Sequence, residues 1–173
     1  DDGNDLAVMG ADDDVFQWNP GDDNDTLEGQ DGTDTMLFFG ANIAEDIDIS
    51  ANGERVRFFR NVASVTMDLN DVEVVDFRAL GGADNIVVGD LTGTDVTPIG
   101  LDLRGSNGGG DGAADTVTVN GTQGDDAIPL PFFIVLVFWL VAIFASFSLF
   151  AEPSPIVVAS TLLFALSVSS ALF

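Results

Sequence analysis

The chain has 173 residues, and its 29 acidic side chains face five basic ones, all arginine, with no histidine and no cysteine. A formal charge of −24 repels the phosphates of a nucleic acid and makes a cation the natural partner. Without thiols there are no disulfides and no thiolate metal sites, so an ion would be held by oxygen and zinc is disfavoured.

The acids crowd the start: residues 1–40 hold twelve of them and no base. Asp5, Asp14, Asp25 and Asp34 follow one another at steps of nine, eleven and nine residues, and each is followed two places on by an apolar residue: Ala7, Phe16, Leu27 and Met36. Each unit reads as a Gly-rich turn, a ligand, and a very short strand with one inward side chain. Two units complete one turn of a coil. Glycines at positions 3, 10, 21, 29 and 32 allow positive φ and let backbone carbonyls point at an ion. Calcium takes six to eight oxygens at about 2.3–2.6 Å, which carboxylates and carbonyls supply, whereas magnesium keeps its waters and demands octahedral geometry.

The stretch "GQDGTDTML" (residues 29–37) resembles the nonapeptide of hemolysin-type calcium-binding (RTX) repeats, G-G-x-G-x-D-x-U-x with U large and apolar. Gly29, Gly32, Asp34 and Met36 match it, and Gln30 replaces the second glycine. The unit before keeps Gly21, Asp25 and Leu27, with Pro20 and Asp23 at the other glycine positions, and Met9 and Asp12 replace glycines earlier still. The resemblance implies a parallel β-roll over residues 1–40 with Ca2+ between stacked turns. It carries the metal over to Asp5, Asp14, Gly21, Asp23, Asp25, Gly29, Asp31, Gly32 and Asp34. Asp5 then stacks on Asp25 and Asp14 on Asp34, twenty residues apart instead of the family's eighteen, with a bulge within "QWNPG" taking up the difference. Replacing Asp34 by alanine is expected to weaken calcium-induced folding much more than the same change at Asp71.

From residue 41 to 128 strand patterns outnumber ligands. "IDIS" (47–50), "RVRFF" (55–59), "SVTMDLN" (64–70) and "VEVVDF" (72–77) each suggest a half-buried strand. Asn52-Gly53 between the first two predicts a hairpin with a type I′ turn. "LGGADNIVV" and "GAADTVTVNGT" repeat a Gly-Ala-Asp motif at Asp84 and Asp115, with "GDDAI" following at Asp126. They predict a right-handed parallel β-helix with irregular rungs, in which Asp84 and Asp115 either bind calcium or cap turns through their side chains. Arg55, Arg57, Arg60 and Arg78 are expected to compensate neighbouring acids.

Near Ile128 the composition changes abruptly. Residues 132–151 and 156–173 are apolar runs, the first of them 20 residues long and enough to span a bilayer as a helix, and "EPSP" between them suits the turn of a helical hairpin. Residues 129–173 are thus expected to engage a lipid bilayer; "VLVFWL", "IFASFSLFA" and "ALSVSSALF" resemble the last two membrane spans of a bacterial bestrophin-like domain of unknown function. The chain opens on Asp1 with no charged-then-apolar leader, which reads as a piece of something longer with export signals elsewhere.

The expected protein is mainly β: a β-roll and β-helix with one hairpin, then two transmembrane helices. It is a non-enzymatic, calcium-binding module of an exported bacterial protein, extracellular or at the cell surface, with a structural or adhesion role and no identified protein partner. No Ser-His or Cys-His pair, Schiff-base lysine or H-E-x-x-H motif offers a catalytic alternative. The other functions open to the sequence are a bestrophin-like membrane protein, for which the resemblance implies ion transport, with an acidic extracellular appendage, and a chimeric fusion of two unrelated fragments.

Overall fold

The structure, a computed structural model, describes residues 2–122. The expectations for the apolar tail, including the spans 132–151 and 156–173, lie outside the described residues. Among the described residues no helix is long and apolar enough to cross a membrane.

The described chain is mainly β, and most of its strand pairs are parallel. Its strands are β1 (Leu6–Ala11), β2 (Val15–Trp18), β3 (Thr26–Asp31), β4 (Thr35–Phe39), β5 (Asp46–Asn52), β6 (Arg55–Arg60), β7 (Val65–Asn70), β8 (Val74–Leu80), β9 (Asn85–Val88), β10 (Ile99–Gly105) and β11 (Thr116–Val119). They form a seven-stranded sheet in the order β1-β3-β7-β6-β5-β9-β11 and a four-stranded sheet in the order β10-β8-β4-β2. Apart from the run β5-β6-β7, the chain alternates between the two sheets. We call one strand from each sheet, with the corner between them, a rung.

The register of the first rungs follows the spacing of the aspartates. Leu6 pairs with Thr26 and Val15 with Thr35, both parallel and both twenty residues apart. That offset holds along both strand pairs, so the two residues beyond an eighteen-residue rung do not form a bulge in either strand. They are absorbed in a turn after β2, where the Asn19 carbonyl accepts the Asp22 N–H at 2.9 Å.

Alternation along the strands sends one face to a shared core. Leu27, Met36, Ile47, Ile49, Met67 and Leu69 are fully buried, while Phe16 and Ala7 in the first rung pack on the core with their outer side open. Trp18, Phe38 and Phe77 fill one row of the four-stranded sheet, in register with each other. Trp18 stacks flat on Phe38 at 4.1 Å between ring centroids, and Phe58 of the opposite sheet leans on Phe38 at 4.4 Å. Burying each such side chain stabilises the fold by roughly 1.5–3 kcal/mol.

The predicted hairpin is present with a different turn. β5 and β6 pair antiparallel with Asn52 opposite Arg55, so the loop is Gly53-Glu54 and not Asn52-Gly53. Gly53 has φ 72°, and neither Asn52 nor Glu54 has positive φ, which is the pattern of a turn with glycine at its first position and not of type I′.

Candidate metal centre

Strand after strand is preceded by an acid. Asp5, Asp25, Glu45, Asp84 and Asp115 stand before β1, β3, β5, β9 and β11, and Asp14, Asp34 and Glu73 before β2, β4 and β8. These acids mark two corners, one entering each sheet. At both, a carboxylate accepts the backbone N–H of the acid one rung earlier. Asp5 N–H donates to Asp25 Oδ1 at 2.9 Å, and Asp14 N–H to Asp34 Oδ1 at 2.9 Å. Asp34 N–H donates to Glu73 Oε2 at 2.7 Å, Glu45 N–H to Asp84 Oδ1 at 2.9 Å, and Asp84 N–H to Asp115 Oδ1 at 3.0 Å. The earlier acid's carbonyl in turn accepts from the next rung, as in Thr35 N–H to the Asp14 carbonyl at 2.9 Å. A backbone group that would be orphaned at a sharp corner is thereby paired, through a charge-assisted bond.

The nine residues expected to hold calcium divide between these corners. Asp5, Gly21, Asp23 and Asp25 lie at the corner entering β3. Asp23 Oδ2 accepts the Gly3 N–H at 2.8 Å, while Gly21 sits exposed with no atom packed against the position of a side chain. Burial pushes the Asp25 carboxyl above its ordinary range and the nearby Asp5 carboxylate adds to this, against the lowering effect of the Asp5 N–H. Asp14, Gly29, Asp31, Gly32 and Asp34 lie at the corner entering β4. Asp31 is exposed there and lines an open cleft of about 540 Å³ with Gly10, Ala11, Gln30 and Asp71.

Asp34 is the buried centre of that second group. It is 0% exposed, and its Oδ2 has no hydrogen-bond partner. A side chain on Gly29 would overlap the Asp71 carbonyl oxygen and stand 2.6 Å from Asp34 Oδ2, so the glycine is what lets three oxygen-bearing segments meet. Among the described residues no three carboxylates are gathered to hold a metal. A cation here would rest on one carboxylate with backbone carbonyls, a donor set suited to a hard ion.

Glu45 sits in a related corner with its charge already matched and its Oε2 accepting the Ala41 N–H at 3.1 Å. Gly40 precedes it by five residues, as Gly29 precedes Asp34, and a side chain on Gly40 would meet Glu45 Oε2 and stand 2.9 Å from the Ala79 carbonyl of the next rung. Here the buried Arg60 guanidinium pairs with Glu45 Oε1, Nε donating at 2.6 Å. The guanidinium also lies over the Trp18 ring, 5.4 Å from its centroid. Removing one partner of a buried pair leaves the other charge unmatched, so Arg60→Ala is expected to cost about 3–5 kcal/mol. Arg57, half-exposed and paired with Asp48 at 2.7 Å, is expected to cost under about 1 kcal/mol on the same change. Urea unfolding of the two variants checks the contrast; equal midpoints would contradict it.

The remaining arginines compensate neighbours as the sequence suggests: Arg55 pairs with Glu28 and Asp68, both at 2.9 Å, and Arg78 stands 3.6 Å from Asp76. Asp84 and Asp115 cap backbone N–H groups. Burial raises the Asp84 carboxyl to about 6, with Glu45, Asp115 and Asp111 adding their repulsion against the lowering effect of the Glu45 N–H. Sequence reasoning passed over Glu45 and Glu73 as ladder members. Their signal is an acid directly before an alternating strand, at a spacing of 39 residues to Asp84 and from Asp34.

No protein family, no curated protein and no solved structure matches the chain.

Proposed function

We propose that residues 1–128 form a calcium-binding module of an exported bacterial protein, a parallel β-roll over 1–40 that continues as a right-handed β-helix. Calcium would complete the corners, and the module would serve as a structural or adhesive element, not an enzyme. The observation that carries this is Asp34: a fully buried carboxylate whose second oxygen faces no donor, beside a glycine and a carbonyl, in a chain whose first 128 residues hold 28 acids against five arginines. Burying a charge without a partner is costly, and a bound divalent ion offsets that cost and the self-repulsion of the rungs together. Ion binding then contributes directly to folding free energy. The apolar tail would hold this module at a bilayer, and the resemblance to hemolysin-type repeats agrees with the Gly29–Met36 unit.

The test follows ordering of the full-length chain, in detergent for its tail, by circular dichroism and amide exchange with excess chelator and with millimolar calcium. Strand signal and amide protection at β1–β4 are expected to rise with calcium. Equal order in the two conditions would overturn the proposal.

A further inference from the structure

The corner entering β9 repeats the Asp34 arrangement without the nonapeptide spacing. Asp84 is 1% exposed; its Oδ1 accepts the Glu45 N–H, and its Oδ2 has no hydrogen-bond partner. Two residues before it, Gly82 lies where a side chain would strike the Ile43 carbonyl of the preceding rung, just as Gly32, two residues before Asp34, lies against the Asp12 carbonyl. Leu80, Gly81 and Gly82 all have positive φ, at 63°, 121° and 114°. A backbone so turned brings oxygen to the turn from three directions. The side-chain position of Gly81 is 2.6 Å from Asn42 Oδ1 and 3.1 Å from Asp111 Oδ2, and Asp111 Oδ2 also accepts the Gly82 N–H at 2.6 Å.

The neighbouring charges are of one sign. Glu45, Asp111 and Asp115 all face Asp84, and the nearby arginine, Arg60, is engaged by Glu45. The two corners therefore differ in what meets the buried carboxylate: at Glu45 the Arg60 guanidinium supplies positive charge and Oε2 accepts the Ala41 N–H, and at Asp84 Oδ2 has neither among the described residues.

We propose that Asp84 anchors a cation site of its own, outside the repeats of residues 1–40, in which a hard divalent ion lies between the turn Leu80–Asp84 and the preceding rung at Asn42–Ile43. The donors at the turn are oxygens of mixed type, the Asp84 and Asp111 carboxylates, the Asn42 amide oxygen and the Ile43 carbonyl, a set that suits calcium better than magnesium. The site rests on the proposed calcium-binding function and deepens it, and it fails or stands independently of the site at Asp34.

Calcium binding to the full-length chain in detergent, by equilibrium dialysis after removal of metal with a chelating resin, tests this. Asp84→Asn keeps an acceptor for the Glu45 N–H and is expected to bind one calcium ion fewer than wild type. Asp34→Asn is expected to lose a different ion, and the double variant both. Asp111→Asn, on the exposed rim, keeps the acceptor for Gly82 and is expected to weaken the same ion as Asp84→Asn by about tenfold; it serves where the buried variant fails to fold. A loss in Asp84→Asn with none in Asp34→Asn supports the new site and removes the one in the repeats. Wild-type stoichiometry and affinity in both Asp84→Asn and Asp111→Asn overturn it.

Discussion

Gly29→Ala is expected to destabilise the protein by about 3 kcal/mol or more, lowering the melting temperature by roughly 10–15 °C for a domain of this size. The cause is local and rigid. A Cβ at this position would overlap the Asp71 carbonyl oxygen and stand 2.6 Å from Asp34 Oδ2. Neither group can step aside: the first is backbone at a corner, and the second is a buried carboxylate tied through Oδ1 to the Asp14 N–H. Relieving the overlap means separating the rung of β3 and β4 from that of β7 and β8, along with their paired registers. Gly110 provides the comparison, with open space around its side-chain position and no positive φ. Its change to alanine should stay within about 0.5 kcal/mol. Thermal unfolding followed by circular dichroism distinguishes the two, and near-identical melting curves would show that the corner at Gly29 yields to a methyl group.

The spacing of four aspartates made the first two rungs legible. Asp5 to Asp25 and Asp14 to Asp34 are twenty residues apart, and the strands following them pair at that offset. Leu27 and Met36, two residues after their aspartates, are fully buried as the pattern requires. Beyond residue 40 alternation located β5 to β8 but could not order them. The chain leaves β4, skips two places along the larger sheet to β5, and returns antiparallel through β6 and β7 to lie beside β3. β8 can therefore pair with β4, and β9 with β5, each at a distance of 39 residues. An excursion of this kind leaves every local pattern intact while nearly doubling the repeat, which is why Glu45 and Glu73 were not seen to continue the ladder. The hairpin turn escaped for a related reason. Moving its register by two residues leaves the inward face unchanged, so Ile49 would point into the core in either case. In the register adopted, Ile47 lies opposite Arg60, whose guanidinium is buried against Glu45.

Asp34 is where the structural and ionic roles of a corner acid can be separated. Its Oδ1 accepts the Asp14 N–H, while its buried Oδ2 is the atom a cation would use. Asp34→Ala removes both and should cost about 1–3 kcal/mol in chelator, because the Asp14 N–H loses its acceptor, and should also lose the response to calcium. Asp34→Asn keeps the acceptor and removes the charge, so it should fold in chelator much as wild type does and still lose the calcium response. For wild type, free calcium at about a hundred times the dissociation constant adds about 2.7 kcal/mol per site, which sets the size of the shift to look for. Asp71 is a poor comparison for these variants, since it belongs to the same corner: its carbonyl faces Gly29, and its own backbone turns left-handed there with φ 49°. The exposed Asp95, in the loop between β9 and β10, is the better one, and alanine there should leave the calcium shift whole. If Asp34→Asn were stabilised by calcium as much as the Asp95 variant, the buried oxygen would have no part in ion binding, and Asp34 would be a cap for the Asp14 N–H alone.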